Sequence, residues 1–465
     1  MKNILEYLFL SIGGYLLLVL FFEKNLFNPI NNNETENIII SLYILWIFGL
    51  FSSYIVSFFK MAPLLGGMII GVIFRNVIFL EKFLYENNTI TTLIRDIGYV
   101  IILIRSGLCV DLNALKKFFS LCLSLGIIST IMDVMFLAFL CHYILYFPIN
   151  ISILFSFIIS SVAPAIIVPV VIELKKNNIG KENGIPTIIL ANATVINIFC
   201  TTSFSILVSI FYGKEEFSLW KLKVIPIGIF IGLFVGILFG LIILNIFKNR
   251  KDASNFKKAI SVMLYSLLIF YCGKYFENNI ISSVGIISLT ILLNYYWNEK
   301  DGDGVVEKDK VFAYGWNNLI EPLLFSMIGI TLNLNKLCIK VVLVSLLIIL
   351  LSIFVKWLAI FLMLTFSHLN YKERLYMAFS FTSKATVQAV LAPILASILL
   401  ENNIIIESSI GYSVDELIII ISIISIILTA PLGHLLMSFF SNSLLRNKNT
   451  NQEIQEEQLF ISNEI

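Results

Sequence analysis

Fourteen apolar runs follow one another along this chain, and they constrain its fold more than any other feature. They lie near 4–22, 38–58, 61–80, 96–110, 118–146, 151–173, 184–211, 224–247, 257–273, 279–297, 311–332, 341–366, 375–398 and 415–441. About 20 predominantly apolar residues suffice to cross the hydrocarbon core of a bilayer as a helix. A backbone surrounded by lipid must satisfy its own hydrogen bonds, and the alternating ten-residue pattern of barrel strands does not occur here. The expected fold is therefore all-α and polytopic, with about 14 transmembrane helices. Composition agrees: 13% of the 465 residues are charged, about half of what a soluble domain carries. The 32 Lys and Arg and 30 Asp and Glu are spread between the apolar blocks, so no basic face for nucleic acid is formed.

Sorting the basic residues onto alternate sides of fourteen spans puts 19 on the side that holds both termini and 10 on the other, with Arg105, Lys356 and Lys384 inside spans. The positive-inside rule then makes both termini cytoplasmic. The first run lacks a small-residue cleavage site and is expected as a span, not a signal peptide. The six cysteines have no CxxC spacing and are expected as small buried hydrophobes. The three histidines, His142, His368 and His434, lie near span ends without ligand spacing, so no metal site, cofactor or enzyme is expected. The polar tail at 446–465 is too poor in apolar residues to fold alone, and Asn298 to Lys310 reads as a loop around Asp-Gly-Asp-Gly. The expected membrane domain is 1–445.

Charged groups at bilayer depth are costly and mark function unless they are structural. Asp133 lies near the middle of the span at 118–146 and Lys356 near the middle of that at 341–366. An ion pair between them would reduce the desolvation cost of both, and it reads equally as a structural staple or as part of a mechanism. Two other spans carry interruptions. SSVAPAIIVPVV contains Ser161, Pro164 and Pro169, and FTSKATVQAVLAPI contains Lys384, Thr386, Gln388 and Pro393. Proline removes a donor and clashes with the preceding turn, and paired broken segments mark the binding region of many transporters.

These features repeat. Asp133 and Lys356 are 223 positions apart and Pro169 and Pro393 are 224, each within the order charged helix, broken helix, long helix. With four spans between them, the two units begin on opposite sides of the membrane and are expected as inverted repeats whose broken helices cross. The helix following the first break carries Thr194, Asn197, Thr201 and Ser205 on one face. Such a stripe can bond neighbouring helices or line a site; its position beside the break favours a lining.

The stretches LIRSGLCVDLNALKK, SVAPAIIVPVV, GIPTIILANATVINI, EPLLFSMIGITL, FTSKATVQAVLAP and LTAPLGHLL resemble the NHA-type sodium/proton exchangers of the cation/proton antiporter superfamily, from about Pro63 to Leu436. The resemblance implies a homodimer in which a core of crossed broken helices, mainly 96–212 and 311–442, moves like an elevator against dimerisation or scaffold helices, mainly 1–80 and 224–297. It implies a transported monovalent cation (Na+, Li+ or K+), protons and the lipid bilayer as partners, with no cofactor. Asp133 falls where the family has an acidic residue and Lys356 where it has the basic residue of the core. Ser161 to Pro169 fall on the first crossing helix, and Lys384, Thr386 and Gln388 on the second.

One departure stands out. Where the family carries two adjacent aspartates after GIPT, this chain has Ile196 and Asn197, and no Asp or Glu occurs between Glu182 and Glu215. An amide offers an oxygen to a cation but does not titrate, so Asn197 alone cannot couple a cation to a proton. Proton coupling through Asp133 and Lys356, with Glu321 as another candidate that opens its span beside Pro322, is one expectation. A transporter of another solute such as an anion, or a transport-inactive regulatory relative, are the alternatives.

Overall fold

Every apolar run within the described residues forms a helix or a pair of helices in the computed structural model. The structure describes residues 34–445, apart from positions 59–60, 82, 85–87, 109, 111–118, 178, 181–182, 213–218, 248–254, 277, 302–310, 403–407 and 409–410. The expected first span at 4–22, most of the Asp-Gly loop and the tail at 446–465 lie outside the described residues.

The first helices are α1 (Glu34–Phe58), α2 (Leu64–Asn76) and α3 (Asn88–Leu108). The first repeat unit comprises α4 (Ser129–Leu145), α5 (Ile149–Ser160), α6 (Pro164–Lys176) and α7 (Ile185–Tyr212). Three long helices follow: α8 (Leu219–Phe247), α9 (Asn255–Tyr275) and α10 (Asn279–Asp301). Next come α11 (Glu321–Ile330) and the second unit, α12 (Ile339–Met363), α13 (Tyr371–Ser380), α14 (Thr386–Glu401) and α15 (Val414–Leu445). Wide π-turns precede α4 at Ser124–Ile128 and α11 at Trp316–Ile320. Among the described residues, eight helices are long and apolar enough to cross a membrane by length and composition. The broken elements account for the shorter ones, and the chain is an all-α polytopic membrane protein.

Local chemistry sets several boundaries. Tyr146 closes α4 in the left-handed conformation (φ 57°) and its amide bonds back to Cys141 O. Pro148 then provides the extended entry to α5. Asn370 and Glu373 form a reciprocal capping box that starts α13. Ser161 leaves α5 in extended conformation (ψ 153°) and Ala163 is extended immediately before Pro164, as the steric demand of a proline on its predecessor requires. Pro164 then occupies the first turn of α6, where its missing N–H costs nothing. The helices run on through Pro169 and Pro393, so these two prolines do not make the interruptions expected of them. The breaks fall upstream, at 161–163 and 381–385.

The helices pack as the repeat predicts. In the first unit α4 packs on α5, and α7 on both α5 and α6; in the second, α12 packs on α13, and α15 on both α13 and α14. The units are joined by contacts of α4 with α12, α5 with α14 and α6 with α15. To one side α8, α9 and α10 pack together and meet the rest through α10 against α3 and α7. To another side α2 lies against α11, and a methyl on Gly71 would sit 2.0 Å from Ser326 O, so this crossing depends on glycine. Cys122, Cys141 and Cys200 are buried as expected, whereas Cys272 and Cys338 are exposed.

Candidate functional site

The two breaks cross. Ala163 donates its amide to Ser383 O at 2.9 Å, which joins the extended segments in place of the helical bonds each has lost. Gln388, in the first turn of α14, reaches into the end of α5: its Nε2 donates to Ile158 O (3.0 Å), Ser161 O (3.1 Å) and Ser161 Oγ (3.1 Å). Lys356 Nζ donates to Ser160 O. The last carbonyls of a helix lack intrahelical partners and carry partial negative charge, so an amide and an ammonium here satisfy both requirements. At the other break Lys384 N donates to Thr429 Oγ1 at 3.0 Å, and Thr429 Oγ1 donates to Lys384 O at 3.1 Å. Gly433 allows α15 to approach: a methyl there would lie 2.7 Å from Ser383 Cβ.

Behind the crossing is a buried charge cluster. Asp133 Oδ2 is 3.8 Å from Lys356 Nζ, with both side chains at most 1% exposed. Ser352 Oγ donates to Asp133 Oδ1 at 2.8 Å and accepts from Lys384 Nζ at 3.1 Å. One carboxylate therefore serves two lysines, one directly and one through a hydroxyl. Cys200 of α7 lies within Coulombic reach of all three. The expected pairing of Asp133 with Lys356 is thus present, and Lys384 completes the cluster.

One turn before Cys200, Asn197 faces a different space. A cavity of ≈ 30 Å³ is lined by Ile102, Arg105, Ser106, Pro164, Val168, Thr194, Asn197, Trp316 and Thr386. That is room for one or two waters. Asn197 Nδ2 donates to Ser106 Oγ at 2.7 Å, while its Oδ1 is buried without a hydrogen-bond partner. Thr194 spends its proton on Ala191 O at 2.7 Å, which leaves oxygen lone pairs for the cavity. Among the described residues the lining therefore holds neutral oxygens suited to a small dehydrated cation, one guanidinium and no carboxylate.

The family model described as sodium/hydrogen exchanger, transmembrane, matches residues 38–437. The chain belongs to the sodium/hydrogen exchanger family. Sodium/hydrogen exchanger 9B1 of Macaca fascicularis is 27% identical to this exchanger-family chain over 388 residues, covering 83% of it and 73% of that protein. Sodium/hydrogen exchanger 9B2 of Mus musculus is 26% identical over 402 residues, covering 85% and 71%. Among solved structures, the sodium proton antiporter MjNhaP1 from Methanocaldococcus jannaschii at pH 8 superimposes with a TM-score of 0.68 at 18% identity, covering 88% of this chain and 100% of that one. The fold is that of the sodium/proton antiporters, and the resemblance to NHA-type exchangers of the cation/proton antiporter superfamily holds.

In this exchanger-family chain the expected site residues divide into three groups. Asn197, Thr194, Pro164 and Thr386 share the cavity. Asp133, Lys356 and Lys384 form the charge cluster, and Ser161 and Gln388 tie the crossing. Ile196 is fully buried in an apolar cluster with Leu125, Ile189 and Ile360, away from the cavity lining. Thr201 gives its hydroxyl to Asn197 O in its own helix at 2.9 Å. Ser205, lower on the stripe, bonds Ser283 Oγ of α10 at 2.7 Å. The stripe therefore serves two purposes, its upper part lining the cavity and its lower part joining helices. Sequence reasoning missed Ser106, Arg105 and Trp316 in the lining and Ser352 and Thr429 at the cluster and break. Arg105 alone carried a signal, as a charge within an apolar run; a lone serine in a span carries none.

Proposed function

We propose that this chain is a secondary antiporter exchanging a monovalent cation (Na+, Li+ or K+) for protons by elevator-type alternating access, with coupling altered because Asn197 stands where the family has its ion-binding aspartate. The observation that carries the reading is the pair of broken helices meeting beside a small oxygen-lined cavity that includes Asn197. A cation that has shed most of its water would be held there by Asn197 Oδ1, Thr194 Oγ1 and Thr386 Oγ1. Amide and hydroxyl dipoles replace a full charge, so affinity is expected to be weaker than at a carboxylate. Asp133, Lys356, Lys384 and Gln388 keep the crossing intact by compensating the ends of the broken helices. The body that carries the site is 96–212 with 311–442, moving against 1–80 and 224–297, in a homodimer with both termini cytoplasmic.

The test is flux into proteoliposomes under an imposed pH gradient. Na+, Li+ or K+ movement that K356A or D133A abolishes is the expected result, and absence of any such flux in folded wild-type protein overturns the reading. A second reading, passage of an anion, is favoured by Arg105 in the lining and by the amino-terminal ends of α6 and α14 at Pro164 and Thr386. A thermal-shift screen in which anions alone stabilise the protein would select it. A transport-inactive relative is selected if N197D folds and still carries no flux.

A further inference from the structure

Whether the cavity suits a cation or an anion turns on the orientation of one amide. Asn197 is 1% exposed, and its side chain is a dipole whose two ends are nearly equal in size and opposite in function. With Oδ1 toward the cavity it offers lone pairs to a cation. With Nδ2 there it would offer protons to an anion. A carboxylate at this position would have two like oxygens and no such choice, so the question arises only because the chain has Asn.

Ser106 of α3 makes the choice. It is buried, lines the same cavity as Asn197 and donates its hydroxyl proton to Ile102 O, one turn back in its own helix, at 2.7 Å. A serine inside a helix commonly bonds back in this way. With its proton there, Ser106 Oγ meets Asn197 as an acceptor, and Asn197 Nδ2 donates to it at 2.7 Å. The reverse orientation would set two acceptors against each other, or cost Ser106 its bond to Ile102 O. Oδ1 is therefore turned away from Ser106, and it is buried without a hydrogen-bond partner. The hydroxyls on either side along α7 give their protons to backbone carbonyls, Thr194 to Ala191 O at 2.7 Å and Thr201 to Asn197 O at 2.9 Å, so neither donates to Oδ1.

The segment that carries Ser106 is itself held in place. A methyl on the next residue, Gly107, would lie 1.9 Å from Thr290 Oγ1 of α10, so α3 and α10 approach closely there. Three residues further, Val110 O accepts from Asn294 Nδ2 of α10 at 2.7 Å. Ser106 thus presents its acceptor from a fixed position.

Resting on the exchange reading above, we propose that Ser106 is a specificity-determining positioning residue, which holds Nδ2 of Asn197 and so turns Oδ1 into the cavity for Na+ or Li+ and against an anion. It acts through the amide and not as a ligand in its own right.

The experiment titrates detergent-solubilised wild type, S106A, N197D and S106A/N197D with NaCl or LiCl at constant total chloride, choline chloride making up the balance, and follows the melting temperature. Wild type is expected to be stabilised by Na+ or Li+, and S106A to need about tenfold more cation for half of the effect, as loss of one buried hydrogen bond implies. In the N197D background the same serine change should cost less than about twofold, because either carboxylate oxygen serves. An unchanged half-saturating concentration in S106A overturns the proposal. An equal loss in both backgrounds also overturns it, since Ser106 would then act on its own account. If S106A does not fold, S106C, whose sulfur is a weak acceptor, is read in the same way. Wild type without any Na+- or Li+-dependent stabilisation overturns the proposal as well. Wild type that is stabilised by these cations but carries no flux in proteoliposomes loses the exchange reading alone, and the titrations still decide the role of Ser106.

Discussion

Ala163 and Ser383, 220 positions apart in the chain, share a backbone hydrogen bond of 2.9 Å across the two helix breaks. This bond couples the two repeat units at the depth where each has given up its own helical ladder. The cavity lined by Pro164 and Thr386 lies at the first residues of the two helices that begin after these breaks.

Replacing Asn197 by Asp returns an ionisable oxygen to the cavity. N197D is expected to tighten apparent Na+ or Li+ affinity by about tenfold, equivalent to about 1.4 kcal/mol, because a charged acceptor is roughly twice as strong as a neutral one. Arg105 and Ser106 provide nearby donors for the new carboxylate. Cation titration of proton movement in vesicles reads the change, and an unaltered half-saturating concentration would count against Asn197 as a ligand.

Asp133 holds two buried lysines, so removing it leaves both without a counter-charge. D133A should lower stability by about 3–5 kcal/mol, seen as a drop in Tm in detergent. The double variant D133A/K356M should recover part of that loss, since it also removes one of the stranded charges. A double variant no more stable than D133A would show that the ion pair is not what the site depends on.

Gln388 closes the open end of α5. Q388A takes the Gln388 donor from Ser161 O and leaves Ile158 O with Ser161 Oγ at 2.9 Å, a loss of about 1–3 kcal/mol for buried polar groups. Thermal melts in detergent should show it; S397A, whose Oγ bonds Ile394 O of its own helix, serves as the control and should melt like wild type.

Gly433 is a steric requirement of the second break. G433A puts a methyl 2.7 Å from Ser383 Cβ and 2.9 Å from its backbone, and overpacking of this kind costs about 1–3 kcal/mol. G315A, where nothing lies within 4 Å of the added methyl, should change stability by less than about 0.5 kcal/mol. Equal melting temperatures for the two variants would refute the close approach of α15 to the break.

The pattern of apolar runs was enough to read the helices, because lipid leaves the backbone no alternative to internal hydrogen bonding. It was also enough to find the repeat, since Asp133 and Lys356 are conspicuous wherever they fall in an apolar span. It misplaced the interruptions at Pro169 and Pro393, because a membrane helix can run through proline when neighbours satisfy the freed carbonyl. Glu321 was named as a coupling candidate from its place at the opening of its span, but its burial at 5% comes with α1, α2, α3 and α14 packing on α11, which no local pattern encodes.

The two breaks show where each kind of information ends. The first follows from the chain itself: Pro164 forces Ala163 into extended backbone, and a reader of SSVAPAIIVPVV can place it within a few residues. The second has no proline at its opening; Ala385 is held at φ −163°, ψ −66° by the amide of Ala163, the hydroxyl of Thr429 and the close approach of Gly433. Apolar runs and single intramembrane charges determined that this is a many-helix membrane protein with two related halves, and the exchanger type followed from the resemblance of its motifs. Only the tertiary structure decided which polar groups share a cavity, because hydrogen bonds between distant segments are chosen by packing and leave no mark on local sequence.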